Sequence, residues 1–258
     1  MAVRLLFMIC GLKFVIGKQE GFIVGGEFVN SVNNFPHVAA LVMSEEDSEE
    51  TLCGSSILNQ KILLTAAHCL ITAVNITAHA GTLDKYKGNI HRVDRVKVHK
   101  QYDDFTVAND IGLVRLKKPL SLGKTMKKVI LMKKPPKVKM AEVAGWGLTN
   151  IQTGVFPRLL KYTTQKLWTH KQCKKVMKFP EVPDFRLPNG KFCGGEMNAR
   201  GNYPSFGDSG SGLMVSKNII IGIVSCSAPT ISQSLMMYTD VPYYYKWIKV
   251  ESRRLACS

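Results

Sequence analysis

Short apolar runs bounded by turn residues recur along the whole chain. They are rich in Val, Ile and Leu, and they cover 38–43, 56–64, 93–98, 111–116, 141–144, 159–167, 212–216 and 219–224. Strands have this length and composition, so the pattern predicts an all-β fold. Helical spacing is confined to 243–254, where Tyr244, Trp247 and Ile248 fall on one face. No glycine fingerprint followed by a helix is present, which argues against a nucleotide-binding α/β fold.

A lysine- and proline-rich segment at 117–139 separates two β-rich halves of similar length. We interpret it as the crossing between two packed barrels, the first at about 23–120 and the second at about 135–242, with a C-terminal helix at about 243–256. Substrate sites usually lie in clefts between such units, so a site is expected where the barrels meet.

The chain is strongly basic, with a formal charge of +16. Basic residues crowd the stretch 115–139, which contains no acid. Such a surface can attract anionic glycans or membranes, although a solvated connector is the simpler explanation. Aromatic residues do not alternate with these lysines, so no platform for nucleic acid is predicted.

The N-terminus and the cysteines predict a secreted, extracellular protein. Residues 1–17 resemble a signal peptide, because Arg4 precedes the apolar run 5–12 and a small Gly17 closes the segment. No apolar run is long enough to span a bilayer. Of the seven cysteines, Cys10 leaves with the signal, and no C-x-x-C pair suggests a zinc or redox motif. Disulfides are therefore expected, and Asn75 begins a glycosylation sequon.

Three segments together fit one mechanism of amide hydrolysis. His68 follows the end of an apolar run, Asp110 begins another, and Ser209 lies among glycines. A serine hydroxyl needs a base to take its proton, and histidine titrates in the right range. A buried aspartate can hold the imidazole in one tautomer. Each residue alone is weak support, whereas the combination predicts a nucleophile, a base and an orienting acid.

From Ile23 onward the chain also resembles the chymotrypsin-like serine peptidases. The resemblance lies in the motifs Ile23-Val24-Gly25-Gly26, Ala66-Ala67-His68-Cys69, Asn109-Asp110-Ile111, Ala144-Gly145-Trp146-Gly147 and Gly207-Asp208-Ser209-Gly210. It implies two packed six-stranded antiparallel β-barrels with a C-terminal helix, and a peptidase domain covering 23–258. It also implies that Ser209 is the nucleophile, His68 the base and Asp110 the orienting acid.

The same resemblance assigns further roles. The N–H groups of Gly207 and Ser209 form the oxyanion hole, and Ser225 supports the aspartate. The expected disulfides are Cys53–Cys69 and Cys173–Cys193, which leaves Cys226 and Cys257 without partners. Cleavage between Phe22 and Ile23 removes a short propeptide, residues 18–22, and frees an amine that pairs with Asp208. Because Phe22 is not basic, a chymotrypsin-like activator is expected rather than a trypsin-like one.

The resemblance places the specificity pocket around Tyr203, near its floor, and Met236, where open pockets have glycine. The other pocket residues are Pro204, Phe206, Ser225, Cys226 and Ser227. No acid lies between Met197 and Phe206, so a preference for apolar or aromatic residues before the cut is expected, and not for Arg or Lys. A small aliphatic preference is an open variant. Ser205 replaces a cysteine, which removes one usual disulfide from the pocket wall.

The sequence therefore predicts a secreted, monomeric serine endopeptidase that works through an acyl-enzyme and needs no metal or cofactor. Its expected partners are protein or peptide substrates, with protein protease inhibitors and anionic glycans as candidates. The alternative is a weakly active or inactive homologue that binds through its basic surface. Ser211 and Gly212 replace the usual Gly-Pro after the nucleophile, which is a reason to keep that alternative.

Overall fold

The computed structural model describes residues 23–44, 51–149, 154–178, 185–197 and 202–257. The expected signal peptide (1–17) and propeptide (18–22, including Phe22) lie outside the described residues. The strands are β1 (Glu27–Phe28), β2 (Val38–Ser44), β3 (Thr51–Ile57), β4 (Ile62–Thr65), β5 (Asn75–Ala80), β6 (Asn89–Val98), β7 (Gly112–Leu116), β8 (Ile130–Leu131), β9 (Met140–Gly145), β10 (Lys161–Trp168), β11 (Lys191–Gly194), β12 (Gly212–Val215), β13 (Ile219–Ser227) and β14 (Met236–Asp240). The helices are a short 3-10 turn (Val32–Asn34), α1 (His170–Val176) and α2 (Tyr245–Cys257).

The strands form two closed antiparallel barrels, as the resemblance implied. The first barrel has the order β2-β3-β4-β7-β6-β5 and closes through pairing of β5 with β2. The second has the order β9-β10-β11-β14-β13-β12 and closes through pairing of β12 with β9. Closure leaves few unpaired strand edges, so the apolar face of each strand can turn inward.

The apolar run at 56–64 is not one strand but parts of two, β3 and β4. The side-chain oxygen of Asn59 accepts hydrogen bonds from the N–H groups of Lys61 at 2.8 Å and Ile62 at 2.9 Å. This local turn reverses the chain between the two strands. Apolar residues on both sides of the turn, such as Ile57 and Leu63, are fully buried.

Each end of the described chain packs against the barrel that the other half of the chain forms. Strand β1 pairs with β10 of the second barrel. Helix α2 instead packs against β4, β6 and β7 of the first barrel. Its apolar residues Ile248 and Leu255 join the buried cluster of that barrel.

Two disulfides hold elements next to the cleft, and they are the two pairs expected. Cys53 of β3 is joined to Cys69, with their Cα atoms 6.3 Å apart. Cys173 of α1 is joined to Cys193 of β11 at a Cα separation of 5.3 Å. Cys226 is buried, Cys257 is exposed, and neither forms a disulfide in the described chain. Within the described ranges, no helix is long and apolar enough to cross a membrane.

A buried histidine in the first barrel makes the fold sensitive to acid. His37 is 2% exposed, and within the described residues neither ring nitrogen has a hydrogen-bond partner. Burial lowers its pKa from 6.5 to about 4. Between pH 6.5 and about 4 the unfolded chain therefore binds a proton at His37 that the folded chain does not. The free energy of unfolding decreases as pH falls through this window.

We expect this loss to reach roughly 3 kcal/mol in the free energy of unfolding at the acid end of the window. In the variant His37→Leu the proton-linked part of the loss should be absent. Thermal unfolding of both proteins across the window checks this, since the gap between their melting temperatures should change with pH. A gap that stays constant would contradict it.

Candidate active site

His68 and Asp110 meet in the cleft through two hydrogen bonds. The ring Nδ1 of His68 lies 2.9 Å from Oδ2 of Asp110, and the backbone N–H of His68 donates to Oδ1 at 3.0 Å. The carboxylate accepts the bond, so Nδ1 carries the proton and Nε2 of the neutral ring is left as an acceptor. The adjoining Cys53–Cys69 disulfide ties the loop of His68 to β3.

Asp110 is fully buried and held from several sides. The Ser225 hydroxyl on β13 donates to its Oδ2 at 2.6 Å, and the Thr239 hydroxyl on β14 donates to its backbone carbonyl at 2.8 Å. Burial alone would raise the pKa of Asp110, but the charge and hydrogen bond of His68 outweigh it, so the pKa lies well below its ordinary value. The carboxylate is therefore ionised at neutral pH.

The pKa of His68 lies above its ordinary value. Burial disfavours the charged ring, but the charge of Asp110 and its hydrogen bond outweigh burial. The side chain of His68 remains 23% exposed, so the ring can meet a ligand in the cleft. Such a ring is suited to accept a proton and hold it briefly.

Ser209 lies in a tight turn whose backbone is anchored to both barrels. Its carbonyl accepts a hydrogen bond from the N–H of Gly54 on β3 at 2.7 Å, and the N–H of Gly210 donates to the Val224 carbonyl on β13 at 2.8 Å. Gly210 has φ +83°, and a Cβ there would overlap Thr65. Among the described residues no hydrogen bond joins Ser209 to His68. Such bonds often tighten only when substrate is bound.

The backbone around Ser209 has two N–H donors without a partner among the described residues. Within the described chain, the N–H groups of Gly207 and Ser209 donate no hydrogen bond, whereas the N–H of Asp208 between them donates to the Ser205 carbonyl at 2.9 Å. Gly207 has φ +90°, and a Cβ on it would press on the Phe156 ring at 2.8 Å. Glycine thus permits the turn that exposes both donors.

Asp208 points the other way, into the second barrel, where it is fully buried. Its carboxylate accepts hydrogen bonds from the N–H groups of Gly147 and Ser205, both at 2.8 Å. Burial raises its pKa to about 6, against the effect of these bonds. No cation pairs with it among the described residues, while Ile23 is also fully buried and its neighbour Val24 bridges Tyr203.

The residues predicted to form the pocket lie in three places. Tyr203 and Met236 are buried in one cluster of the second barrel, together with Tyr238. Cys226 and Ser227 lie on β13, where Ser227 is in register with Met236. Pro204 is buried, and Phe206 is 42% exposed. The buried cluster that contains Tyr203 and Met236 is apolar and aromatic.

Hydrogen bonds hold the chain near the predicted pocket, where the resemblance implies that a usual disulfide is missing. The hydroxyls of Ser232 and Ser234 both donate to the Glu196 carbonyl, at 3.0 and 2.7 Å. The chain before β14 is therefore fixed to the residues that follow β11, which the sequence pattern did not indicate.

The unusual Ser211 fits because its neighbours lack side chains. Its hydroxyl occupies the space that a Cβ on Gly54 would fill and lies beside Gly145. Ser211 is fully buried, and its hydroxyl has no hydrogen-bond partner within the described residues.

Sequence reasoning missed Lys191, which lies directly behind Asp110. Its ammonium donates to the Ser225 hydroxyl at 2.5 Å and to the Thr239 hydroxyl at 3.0 Å, and lies 3.9 Å from Asp110 Oδ2. The side chain is completely buried. The sequence does not indicate that this lysine is buried, since lysine in a short strand usually lies at the surface.

The described residues contain one cluster of metal-type ligands, and it does not fit a metal ion. Ligand atoms of Cys53, His68 and Cys69 lie within 4.8 Å of one another. The two sulfurs are joined in a disulfide, so they offer no thiolate.

The first barrel carries the His68–Asp110 pair, and the second carries Ser209 between glycines. This arrangement of two barrels is that of a serine protease. The family model described as Trypsin matches residues 23–248, and the chain belongs to this family of trypsin/chymotrypsin-like serine proteases. It is 29% identical to the trypsin Tyr p 3.0101 of Tyrophagus putrescentiae, over 95% of this chain and 85% of the relative. It is 28% identical to a collagenase of Hypoderma lineatum, over 90% and 87% of the two chains. A solved structure of HL collagenase superposes with a TM-score of 0.72 at 25% identity, covering 92% of this chain and 98% of that one.

Proposed function

We propose that this chain is a secreted serine endopeptidase, made as a zymogen, in which Ser209, His68 and Asp110 form the catalytic triad. The observation that carries the proposal is the buried, ionised Asp110 bonded to His68, beside a turn with two N–H donors that have no partner in the described part of the chain. Each part of this arrangement serves amide hydrolysis. Membership of the protease family supports it, with proteins or peptides as substrates.

The chemistry follows from the positions of the atoms. Ser209 Oγ attacks the scissile carbonyl carbon while Nε2 of His68 takes its proton. The carbonyl oxygen gains the negative charge and is held by the N–H groups of Gly207 and Ser209. The intermediate collapses, His68 returns the proton to the leaving amine, and an acyl-enzyme remains. Water then repeats the sequence and releases the acid and free Ser209.

Activation is part of the proposal, and it rests on Asp208. A buried carboxylate without a cation is costly, and an amine freed by cleavage before Ile23 would supply one. Ile23 is already buried, and the Tyr203 N–H donates to the Val24 carbonyl at 3.1 Å, so the segment lies along the second barrel. N-terminal sequencing of the active form tests this, and a terminus other than Ile23 would reject it.

Secretion is supported by the two disulfides, and glycosylation by the exposure of Asn75 at the start of β5. The basic stretch 115–139 is the candidate surface for anionic glycans, and the cleft is the candidate site for protein protease inhibitors.

The specificity proposed is for apolar or aromatic residues before the cut. The buried cluster of Tyr203, Met236 and Tyr238 offers no counter-charge for Arg or Lys. Substitution Met236→Ala is expected to favour large aromatic side chains over small aliphatic ones by roughly tenfold in kcat/KM, since a difference of one or two methylenes has this size. A peptide-library profile of both proteins checks this. Efficient cleavage after arginine by the unmodified protein would contradict the specificity.

Reaction with a fluorophosphonate probe tests the catalytic proposal directly. The activated protein should be labelled at Ser209, and the matched variant Ser209→Ala should not. The alternative, an inactive homologue that binds through its basic surface, gives no labelling after cleavage at Phe22 in a folded protein. That result would reject the endopeptidase.

A further inference from the structure

The buried ammonium of Lys191 is a feature of the site that the hydrolysis scheme above does not use. Lys191 begins β11 and is 1% exposed. Its Nζ contacts two hydroxyls, those of Ser225 and Thr239, and lies 3.9 Å from Asp110 Oδ2. A buried charge is retained only where partners compensate its lost hydration, and here all of the polar partners converge on Asp110.

The ammonium of Lys191 restricts the groups to which these two hydroxyls can donate. An ammonium group can only donate, and each hydroxyl has a single proton to give. Because Lys191 donates to both oxygens, both protons are directed elsewhere. The Ser225 hydroxyl donates to Asp110 Oδ2 at 2.6 Å, and the Thr239 hydroxyl donates to the Asp110 carbonyl at 2.8 Å. Lys191 therefore fixes the direction of two hydrogen bonds that hold the aspartate.

The positive charge also acts on the aspartate itself. At 3.9 Å in a buried setting, opposite charges interact strongly because water does not screen them. The charge of Lys191 therefore weakens the stabilisation that Asp110 gives to the protonated ring of His68. Burial lowers the pKa of His68, whereas Asp110 and Cys226 raise it, and the charge of Lys191 lowers it.

Other titratable groups surround this network. Burial raises the pKa of Tyr244, and the charges of Asp110 and Asp240 add to this rise. Burial also raises the pKa of Asp240, against the effect of the nearby His170. The ring of His170 on α1 contacts the Lys191 carbonyl through Nδ1 at 2.8 Å. Of these groups, the ammonium alone donates to the hydroxyls of both Ser225 and Thr239 within the described residues.

We propose that Lys191 is a positioning residue of the triad, which orients the Ser225 and Thr239 hydroxyls onto Asp110 and offsets part of its charge, so that His68 works as a base at lower pH. The inference rests on the proposed peptidase activity. It assigns to a residue outside the triad the control of the pH range in which the enzyme works.

The test is the variant Lys191→Met, which keeps the length of the side chain and removes the charge. In the activated variant, the acidic limb of kcat/KM should move to higher pH. On that limb, within about pH 5–7, activity relative to the plateau should fall roughly three- to tenfold below that of the unmodified protein. The matched control is Lys161→Met, an equally buried lysine whose ammonium lies over the Phe28 ring, 4.6 Å from its centroid. That control should leave the limb unchanged.

An NMR titration of His68 reads the same effect without activity. In a Ser209→Ala background, which prevents self-digestion, the pKa of His68 should be higher with Lys191→Met than without it. A Cys226→Ser background should give the same difference in pKa, because Cys226 and Lys191 act separately on the pKa of His68. Lys191→Gln, which keeps an N–H donor without charge, should reproduce the rise if the methionine variant does not fold.

The two levels of the proposal fail in different ways. Absence of fluorophosphonate labelling would reject the peptidase while the His68 titration still reports on Lys191. Labelling with an unchanged acidic limb and an unchanged His68 titration would overturn the role of Lys191. Failure of both Lys191 variants to fold, with Lys161→Met folded, would also overturn it and make Lys191 a structural residue only.

Discussion

Replacement of Asp110 by asparagine is expected to reduce kcat by about ten-thousand-fold, the loss known for the same change in triad hydrolases. The reason lies in the bonds that Asp110 accepts from the His68 ring at 2.9 Å and from the His68 backbone at 3.0 Å. An amide in this place can present its NH₂ group to Nδ1. The ring then carries its proton on Nε2, where it can no longer accept the proton of Ser209.

The measurement is kcat and KM of the activated variant on a peptide substrate, with folding checked by thermal unfolding. KM should change little, because Asp110 is fully buried and does not line the pocket. The variant Ser225→Ala is a graded control, since it removes one of the hydrogen bonds to Asp110 and keeps the charge. A decrease of less than tenfold for Asp110→Asn would contradict the assignment of the orienting acid.

Replacement of Asp208 by asparagine is expected to have opposite effects before and after activation. In the uncleaved chain, burial holds the pKa of Asp208 at about 6, above its ordinary 3.8. The folded form then binds more protons than the unfolded form between these values. Stability is fully present below pH 3.8 and is lost as pH rises to about 6.

At neutral pH this loss amounts to about 3 kcal/mol, so Asp208→Asn should stabilise the uncleaved protein by an amount of this order. After cleavage before Ile23, the unmodified protein gains a buried ion pair that the variant lacks. Breaking such a pair costs about 3–5 kcal/mol, and the turn of Gly207 and Ser209 should lose its order with it. The cleaved variant should therefore be the less stable one and nearly inactive.

Denaturant unfolding of the two forms of both proteins, at neutral and acidic pH, measures these differences. The His68–Asp110 pair lies in the cleft apart from Asp208, so titration of His68 serves as an internal control and should not change. If Asp208→Asn destabilised the uncleaved protein and its cleaved form equally, the proposed pairing with the new amine would be wrong.

Much of the site could be predicted because its signals are local. His68 beside Cys69, Asp110 before a buried strand and Ser209 between glycines are each recognisable within a few residues. The two-barrel fold followed from short apolar runs together with the family resemblance. Pairing of Cys53 with Cys69 came from the resemblance as well, since spacing alone does not decide connectivity.

The elements that were missed have weak or misleading local patterns. Strand β5 has an apolar residue at every second position, but two of these three are alanines, Ala78 and Ala80, and alanine gives little apolar signal even where it is buried. Strand β11 begins with Lys191, and a lysine predicts a position at the surface. Helix α1 is short, but its capping box between Thr169 and Gln172 is a signal that the sequence did carry.

The crossed arrangement of the chain ends bears on how the molecule loses its structure. Strand β1 extends the second barrel, α2 covers the first, and Arg115 of β7 donates to the Leu255 carbonyl at 3.1 Å. Each half of the chain thus carries a piece that completes the other half. The barrels should consequently melt in one cooperative transition. A protease that nicks the N-terminal end would loosen the second barrel, and one that nicks the C-terminal end would loosen the first.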